Sequence, residues 1–462
     1  MGTVFDPFSV AGVTASVLAL NRAAPASIAR CQAQRLDSLL AHARDASAFY
    51  RERLRHVRKG AVATLQDVEP VARSELMARF DDWVTDPRLD LLSLRDVLAD
   101  PSRVAQAYLG QYLLWESSGT SGEPGVFVQD AQALAVYDAL ESLRRCRPEG
   151  GRRWLDPFYL TERMAFVGAT EGHFASYVGL QRLRQLQPWL APVMSSFSIL
   201  EPVEALVEQL GDFSPTVLAT YPTAALMLAD EVERGHLSVH LREIWTGGET
   251  LSPAMRLRIE RAFGCRVRNS YGTSEFIAMG SECAFGGLHL NTDWLVLEPV
   301  DEHQRPVPPG QPSCGLLLTN LANRVQPLIR YQLGDHVTLH PEPCACGSPF
   351  PVIEVAGRQD DTLHMQGAGR MVPLLPLALS TVLEEDAGVF DFQIRQRDAH
   401  TLVLRLPLSG DAGRQALSRC RSVLQAFAAA QGALPIRVLG ELGQSVPRGR
   451  SGKLCRIQAH RP

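Results

Sequence analysis

The chain has 462 residues, more than one hydrophobic core usually serves, so a large domain with a smaller companion is expected. With 45% hydrophobic and 21% charged residues and a formal net charge of -4, it lacks the positive excess that nonspecific nucleic-acid binding needs. A small molecule or a protein is the expected partner, and no apolar run reaches the length of a membrane span. Nine irregularly spaced cysteines do not form a secreted disulfide framework, which points to reduced thiols and the cytoplasm.

The first apolar run, FSVAGVTASVLAL, follows Asp6 and has neither a basic leader nor a clear cleavage site. It is expected to dock on the mature protein, and Asp6 also breaks the myristoylation pattern. The segments RLDSLLAHARDASAFYRERL and SELMARFDDWV have apolar residues at helical spacing, so the N-terminal region reads as mostly helical. The texture changes near Leu113. Short apolar runs (RMAFVG, PTVLATYP, LREIWTGGE, CRVRNSYG) then alternate with helical patterns, the βα rhythm of a mixed or parallel sheet. Ser252, Pro253 and Gly264 punctuate one helix as cap, first turn and stop. Residues 294 to 340 are more β-like, with WLVLEPV, CGLLLTNL and HVTLH separated by Pro- and Gly-rich turns. Beyond GRQDD a unit of about a hundred residues carries strand, strand, helix and strand, an α+β domain.

The stretch ESSGTSGEPGV, at 116 to 126, sets small side chains and flexible backbone where N–H and O–H donors can surround an anion. It lacks the lysine of the G-x-x-x-x-G-K-[ST] loop, and Glu123 stands where a cation would be expected. Alone, it reads equally well as a surface turn. Its companions, in fixed order, are TGGET (246 to 250), NSYGTSE (269 to 275), LIRYQLGD (328 to 335) with AGRQDD (356 to 361), and PRGRSGK (447 to 453).

Together these motifs resemble the adenylate-forming superfamily of acyl-CoA synthetases, adenylation domains and luciferases, and within it the phenylacetate-CoA ligase branch. The resemblance implies an α/β plus α+β fold: a large N-terminal domain (1–357) of mixed sheets flanked by helices with a small β region, and a small mobile C-terminal domain (361–462). The hinge falls near Asp360. The implied activity is ATP-dependent formation of an acyl-AMP from a small, aromatic acid, then transfer to a thiol, with coenzyme A expected. Rival readings are loading of an acyl carrier protein, a non-thiol acceptor, and a nucleotide-binding regulator on a degenerate scaffold. Monomer and homodimer are both open.

The resemblance also distributes roles. Ser117, Ser118, Gly119, Thr120, Ser121 and Gly122 would follow the outgoing phosphates, although Glu123 replaces the lysine usual in this branch. Gly247, Gly248 and Glu249 would line the adenine, since glycines let backbone approach a flat ring. In the next motif Ser270, Tyr271 and Gly272 would complete the nucleotide site and Thr273 reach a phosphate. Glu275 would supply the one carboxylate that Mg²⁺ needs. Asp335 would accept from both ribose hydroxyls, with Arg358 supporting ribose or phosphate; Arg330 reads equally as a structural ion pair. Lys453 would bring an ammonium to the substrate carboxylate and α-phosphate. The acid pocket would draw on Phe166, His173, Tyr177, Tyr221, Pro222, Ala278 and Met279, any of which core packing also explains. Cys283, His289, Cys344 and Cys346 would complete a closed zinc shell, as in some members of the branch. Reduced buried cysteines, a disulfide, or Cys265 in place of one ligand are the other readings of these thiols.

Overall fold

The computed structural model describes residues 4–57, 65–117, 124–145, 162–358, 361–449 and 452–460. The N-terminal run forms a helix, Pro7–Leu20, capped by Asp6, which accepts from the backbone N–H groups of Phe8 and Ser9. Only Val13 and Val17 of that helix are buried, while Phe8 is 86% exposed, so the segment docks by a narrow stripe. A second helix, Pro25–Ala46, buries Leu36, Leu39, Leu40 and Ala43 in the main core, as its apolar spacing predicts. Among the described residues no helix is long and apolar enough to cross a membrane.

A hairpin of β1 (Leu113–Glu116) and β2 (Val126–Gln129) precedes the main sheet. The sheet begins with β3 (Met164–Gly168), β4 (Met194–Ser198), β5 (Val217–Thr220), β6 (Glu243–Gly247) and β7 (Arg266–Thr273), then continues with β8 (Phe276–Glu282) and β9 (Leu288–Leu290). A smaller sheet of β10 (Leu295–Val300), β11 (Gly315–Asn320) and β12 (Tyr331–Leu333) follows. The chain then returns to the main sheet as β13 (Asp335–Leu339) and β14 (Val352–Arg358). The order across the main sheet is β13-β14-β9-β8-β7-β6-β5-β3-β4. Strands β4 through β7 run parallel; from the β7–β8 hairpin onward the ladder is antiparallel. The serine-rich edge strand β4 escapes the sequence pattern because its buried residues, Met194, Phe197 and Ser198, do not alternate.

The hairpin that switches the sheet from parallel to antiparallel carries the YGTSE motif. Its register shifts between Tyr271 and Thr273, and a Cβ on Gly272 would sit 2.0 Å from the Ile277 carbonyl oxygen, so only glycine fits there. The helix Pro253–Phe263 ends as its sequence predicts: Ser252 Oγ accepts from Met255 N at 3.1 Å, and Gly264 adopts φ 65°.

Leu363 to Ile457 build a separate core around β17 (Gln393–Asp398), β18 (Thr401–Leu406), β19 (Arg437–Leu442) and β20 (Ile457–Gln458), with a two-stranded ribbon of β15 (Leu363–Gln366) and β16 (Met371–Leu374) beside it. The helices Pro376–Glu385 and Gly410–Ala430 cover that sheet.

One buried network ties the N-terminal helices to the antiparallel half of the main sheet. Arg144 donates to Asp293 at 2.7 and 2.9 Å, to Asn291 and to Asn21. Asp293 is fully buried and is flanked on its other side by Arg35 at 3.6 Å. Removing one partner of such a pair strands the other charge away from water. Arg144→Ala is therefore expected to cost about 3–5 kcal/mol, measured as a lower denaturation midpoint with an unchanged slope.

Candidate active site

The candidate residues collect at the carboxyl ends of the parallel strands, where open α/β sheets place their ligands. Tyr221 follows β5, Gly248 follows β6, and Thr273 ends β7. Gly247 lies so close to Ser270 that a Cβ on it would sit 2.8 Å from Ser270 Oγ, which itself donates to the Thr246 carbonyl. Gly248 adopts φ 77°, a left-handed conformation that glycine takes without strain.

Two tyrosine–carboxylate pairs frame the site. Tyr271 donates its hydroxyl to Asp335 Oδ2 at 2.6 Å, and Tyr331 donates to Glu275 Oε1 at 2.8 Å. Burial, reinforced by the neighbouring carboxylate, raises both phenols well above their usual range, so each remains a protonated donor. Asp335 stands opposite Arg358 in the β13–β14 ladder. Trp115 Nε1 donates to the Ser274 carbonyl at 2.8 Å and Asn320 to the Glu275 carbonyl at 2.9 Å, which fixes the YGTSE turn against the main core. Tyr331 lies inside the LIRYQLGD motif, yet nothing in sequence spacing marks it as the partner of Glu275.

Two residues past Trp115, Ser117 closes the base of the ESSGTSGEPGV loop. Its N–H donates to the Gly125 carbonyl at 2.9 Å and its Oγ accepts from Gly125 N at 2.8 Å. Ser118, Gly119, Thr120, Ser121, Gly122 and Glu123 lie outside the described residues, as does the hinge candidate Asp360.

The C-terminal tail reaches the same edge of the sheet. Lys453 is half-buried with Nζ 5.4 Å from the centre of the Tyr221 ring, and a Cβ on Gly248 would sit 3.0 Å from Nζ. Gly452 has φ 73° and packs on Ile199, where a Cβ would sit 2.1 Å from Cγ2. Burial pushes the Lys453 ammonium below its ordinary pKa; Glu249 and Asp335 oppose that shift and Arg358 reinforces it. Lys453 thus shares one electrostatic neighbourhood with three of the other candidates.

The remaining candidates lie in apolar packing around that edge and in the cores beside it. Phe166 and Tyr177 pack together in a small apolar cluster with Leu180, Leu190 and Met194. Tyr221 is buried against the helix that begins at Pro222, and burial raises its phenol to about 12. His173 is 1% exposed, with its ring nitrogens enclosed and burial pushing its pKa down. Ala278 and Met279 belong to the main core. Thr273 Oγ1 lies 3.8 Å from the Met279 sulfur. Arg330 bonds Glu298 at 3.1 Å and the Val68 carbonyl at 2.7 Å, the ion-pair reading of that residue.

A second cluster lies at the β8–β9 turn and the loop before β14. The ligand atoms of Cys283, His289, Cys344 and Cys346 all fall within 4.8 Å of one another. Cys283 and Cys344 sulfurs are 3.7 Å apart, and Cys346 Sγ is 3.2 Å from His289 Nε2. A disulfide needs about 2.05 Å, whereas the edge of a tetrahedron with Zn–S bonds of about 2.3 Å is roughly 3.8 Å. His289 Nδ1 contacts the Phe350 carbonyl at 2.7 Å, so the tautomer that donates there turns a lone pair on Nε2 toward the sulfurs. Gly287 leaves the room: a Cβ would sit 3.2 Å from Cys344 Sγ. Cys265 is half-buried in another apolar cluster and is not among the four.

Glycine turns, carboxylates and the tail lysine thus lie together at the carboxyl ends of the parallel strands. The family profile described as "AMP-binding enzyme" matches residues 29–324, and the chain belongs to that family. It is similar to the phenylacetate-coenzyme A ligase of Thermus thermophilus, 29% identical over 276 residues, which covers 58% of each chain. The phenylacetate-coenzyme A ligase of Escherichia coli is 31% identical over 260 residues, 54% of this chain and 56% of that one. The similarity thus spans little more than half the length of these curated relatives. The fold resembles that of 2-hydroxyisobutyryl-CoA ligase in its postadenylation state, with a TM-score of 0.72 at 19% identity, covering 96% of this chain and 91% of that one.

Proposed function

We propose that this protein is an AMP-forming acid–thiol ligase that activates a small aromatic carboxylic acid and passes it to coenzyme A in the cytoplasm. The supporting observation is one juxtaposition: the tail lysine lies against Gly248 and Tyr221, within electrostatic reach of Asp335 and Arg358. The identities with phenylacetate-CoA ligases favour this acid class and acceptor.

In the first half-reaction a carboxylate oxygen of the acid attacks the α-phosphorus of ATP, and the bond to pyrophosphate breaks with the electron pair leaving on pyrophosphate. Charge builds on the α-phosphate oxygens, and the Lys453 ammonium is placed to stabilise it. Asp335, oriented by Tyr271, accepts from the ribose hydroxyls. Glu275 has one oxygen on Tyr331, and its other oxygen would hold Mg²⁺, a metal that one protein carboxylate, water and phosphate suffice to bind. When bound, Mg²⁺ would neutralise phosphate charge. In the second half-reaction a thiolate attacks the acyl carbon and AMP departs. Residues 1–357 and 361–462 act as two bodies, and rotation near Asp360 withdraws Lys453 for that step. Cys283, His289, Cys344 and Cys346 would hold a zinc of the closed, structural kind.

Pyrophosphate exchange across phenylacetate and hydroxy- and aminobenzoates tests the reading; exchange with none of them overturns it. Mass spectrometry of the thioester formed with coenzyme A or with a carrier protein separates the two acceptors. Asp335→Asn removes a charged acceptor from the ribose site and leaves Tyr271 its oxygen, so KM for ATP is expected to rise roughly ten- to a hundredfold.

A further inference from the structure

Glu249 is assigned above, with Gly247 and Gly248, to the adenine wall, and both of its side-chain oxygens accept hydrogen bonds from the protein. Oε2 accepts from Thr223 N at 3.1 Å and from Thr223 Oγ1 at 2.8 Å, at the first turn of the helix Pro222–Glu233. That position favours a carboxylate, because orphan N–H groups and the positive end of the helix dipole converge on it. Oε1 accepts from the backbone N–H of Leu454 at 3.2 Å, the residue after Lys453. One oxygen is therefore anchored within the large body, and the other holds the turn that carries the lysine. Two further contacts complete that turn: Arg448 donates to the Gly452 carbonyl at 2.9 Å, and Gly452 seats on Ile199.

We infer that Glu249 is the positioning residue for Lys453, a receiver on the large body that catches the tail turn when the small body swings in and releases it when the small body swings out. This rests on the proposed function, since it gives the large body a device for the adenylation pose. The geometry suits repeated docking. When the tail departs, Thr223 still satisfies one oxygen while the other returns to water, so neither state strands a buried charge. The groups facing the Lys453 ammonium are Glu249 after β6, Asp335 on β13, Arg358 on β14 and the Tyr221 ring at the helix start. Loss of the Glu249 charge therefore removes one of the two carboxylates that favour the protonated lysine.

The test compares the wild-type chain with Glu249→Gln, which keeps the shape and loses the charge, and Glu249→Ala, which loses both. Pyrophosphate exchange is expected to fall about tenfold or more in kcat for both variants, with KM for ATP unchanged within about twofold. Thioester formation from supplied acyl-adenylate should fall clearly less than exchange does. In the Gln variant the alkaline limb of the exchange profile should move to lower pH, because the lysine loses its proton more readily. An activity-independent readout accompanies these: trypsin cleavage within PRGRSGK should accelerate several-fold in the Ala variant as the turn loses its tether. A raised KM for ATP with kcat unchanged would return Glu249 to the nucleotide wall and overturn the inference. So would equal losses in both half-reactions, or unaltered proteolysis. Absence of exchange in the wild-type chain with every acid would instead defeat the ligase reading, and the proteolysis comparison would still decide whether Glu249 holds the turn.

Discussion

Replacing Lys453 with alanine is expected to lower pyrophosphate exchange about 10²- to 10³-fold while thioester formation from supplied acyl-adenylate proceeds nearly unimpaired. The size follows from losing a preorganised cation where charge develops, and the asymmetry from its place on the tail. Lys453 meets the large body through Gly248 and the Tyr221 ring, beside the bond from Leu454 N–H to Glu249, so on the two-pose reading its contribution belongs to the pose that seats the tail there. The ammonium must carry its proton to act. Burial lowers its pKa from the ordinary 10.5, so the protonated fraction, and with it the exchange rate, falls as pH rises through a value below that figure. The thioester step, run without the lysine in place, should lack this alkaline limb. Equal damage to both half-reactions, or a shared limb, would count against two alternating poses.

The second large effect concerns the thiol cluster. Metal analysis after purification without chelator is expected to give one zinc per chain, and Cys344→Ser to reduce that to a small fraction. The binding free energy of a closed zinc site is folding free energy, so the variant should lose stability on the order of 4–5 kcal/mol, and chelator should lower the melting temperature of the wild-type chain. The loss has a definite route. Phe350, whose carbonyl meets His289 Nδ1, has its ring under the Arg144 guanidinium at 4.1 Å, and Arg144 anchors the N-terminal helix through Asn21. Loosening the cluster should therefore also loosen the buried Arg144–Asp293 pair. Sub-stoichiometric zinc in an active preparation would remove the metal from this account.

Much of the fold was legible in the sequence because local rules and tertiary contacts agree. The helix between Ser252 and Gly264 begins and ends where its capping chemistry says, and the runs RMAFVG, PTVLATYP, LREIWTGGE and CRVRNSYG became four of the five parallel strands. The fifth, Met194–Ser198, is an edge strand with polar positions that no alternation marks. The motifs named the candidate residues, but their partners were hidden. Tyr331 meets Glu275 across 56 positions and Tyr271 meets Asp335 across 64, separations at which neither spacing nor propensity carries information. His173 is a related case: its place beside Gly172 names it as a candidate, and only the fold shows that its ring is buried.

By itself the sequence determined the class of sheet, the glycines at the β7–β8 bulge and the two approaches to the nucleotide edge, and the set of side chains able to do the chemistry. Those are properties of short stretches, where backbone sterics and hydrogen-bonding capacity act within a few residues. Tertiary structure alone decided which carboxylate each tyrosine orients, that Glu249 accepts from both Thr223 and the tail at Leu454, and that four distant thiol and imidazole groups converge. Such pairings depend on the register of a nine-stranded sheet and on the seating of the tail, which no local stretch encodes.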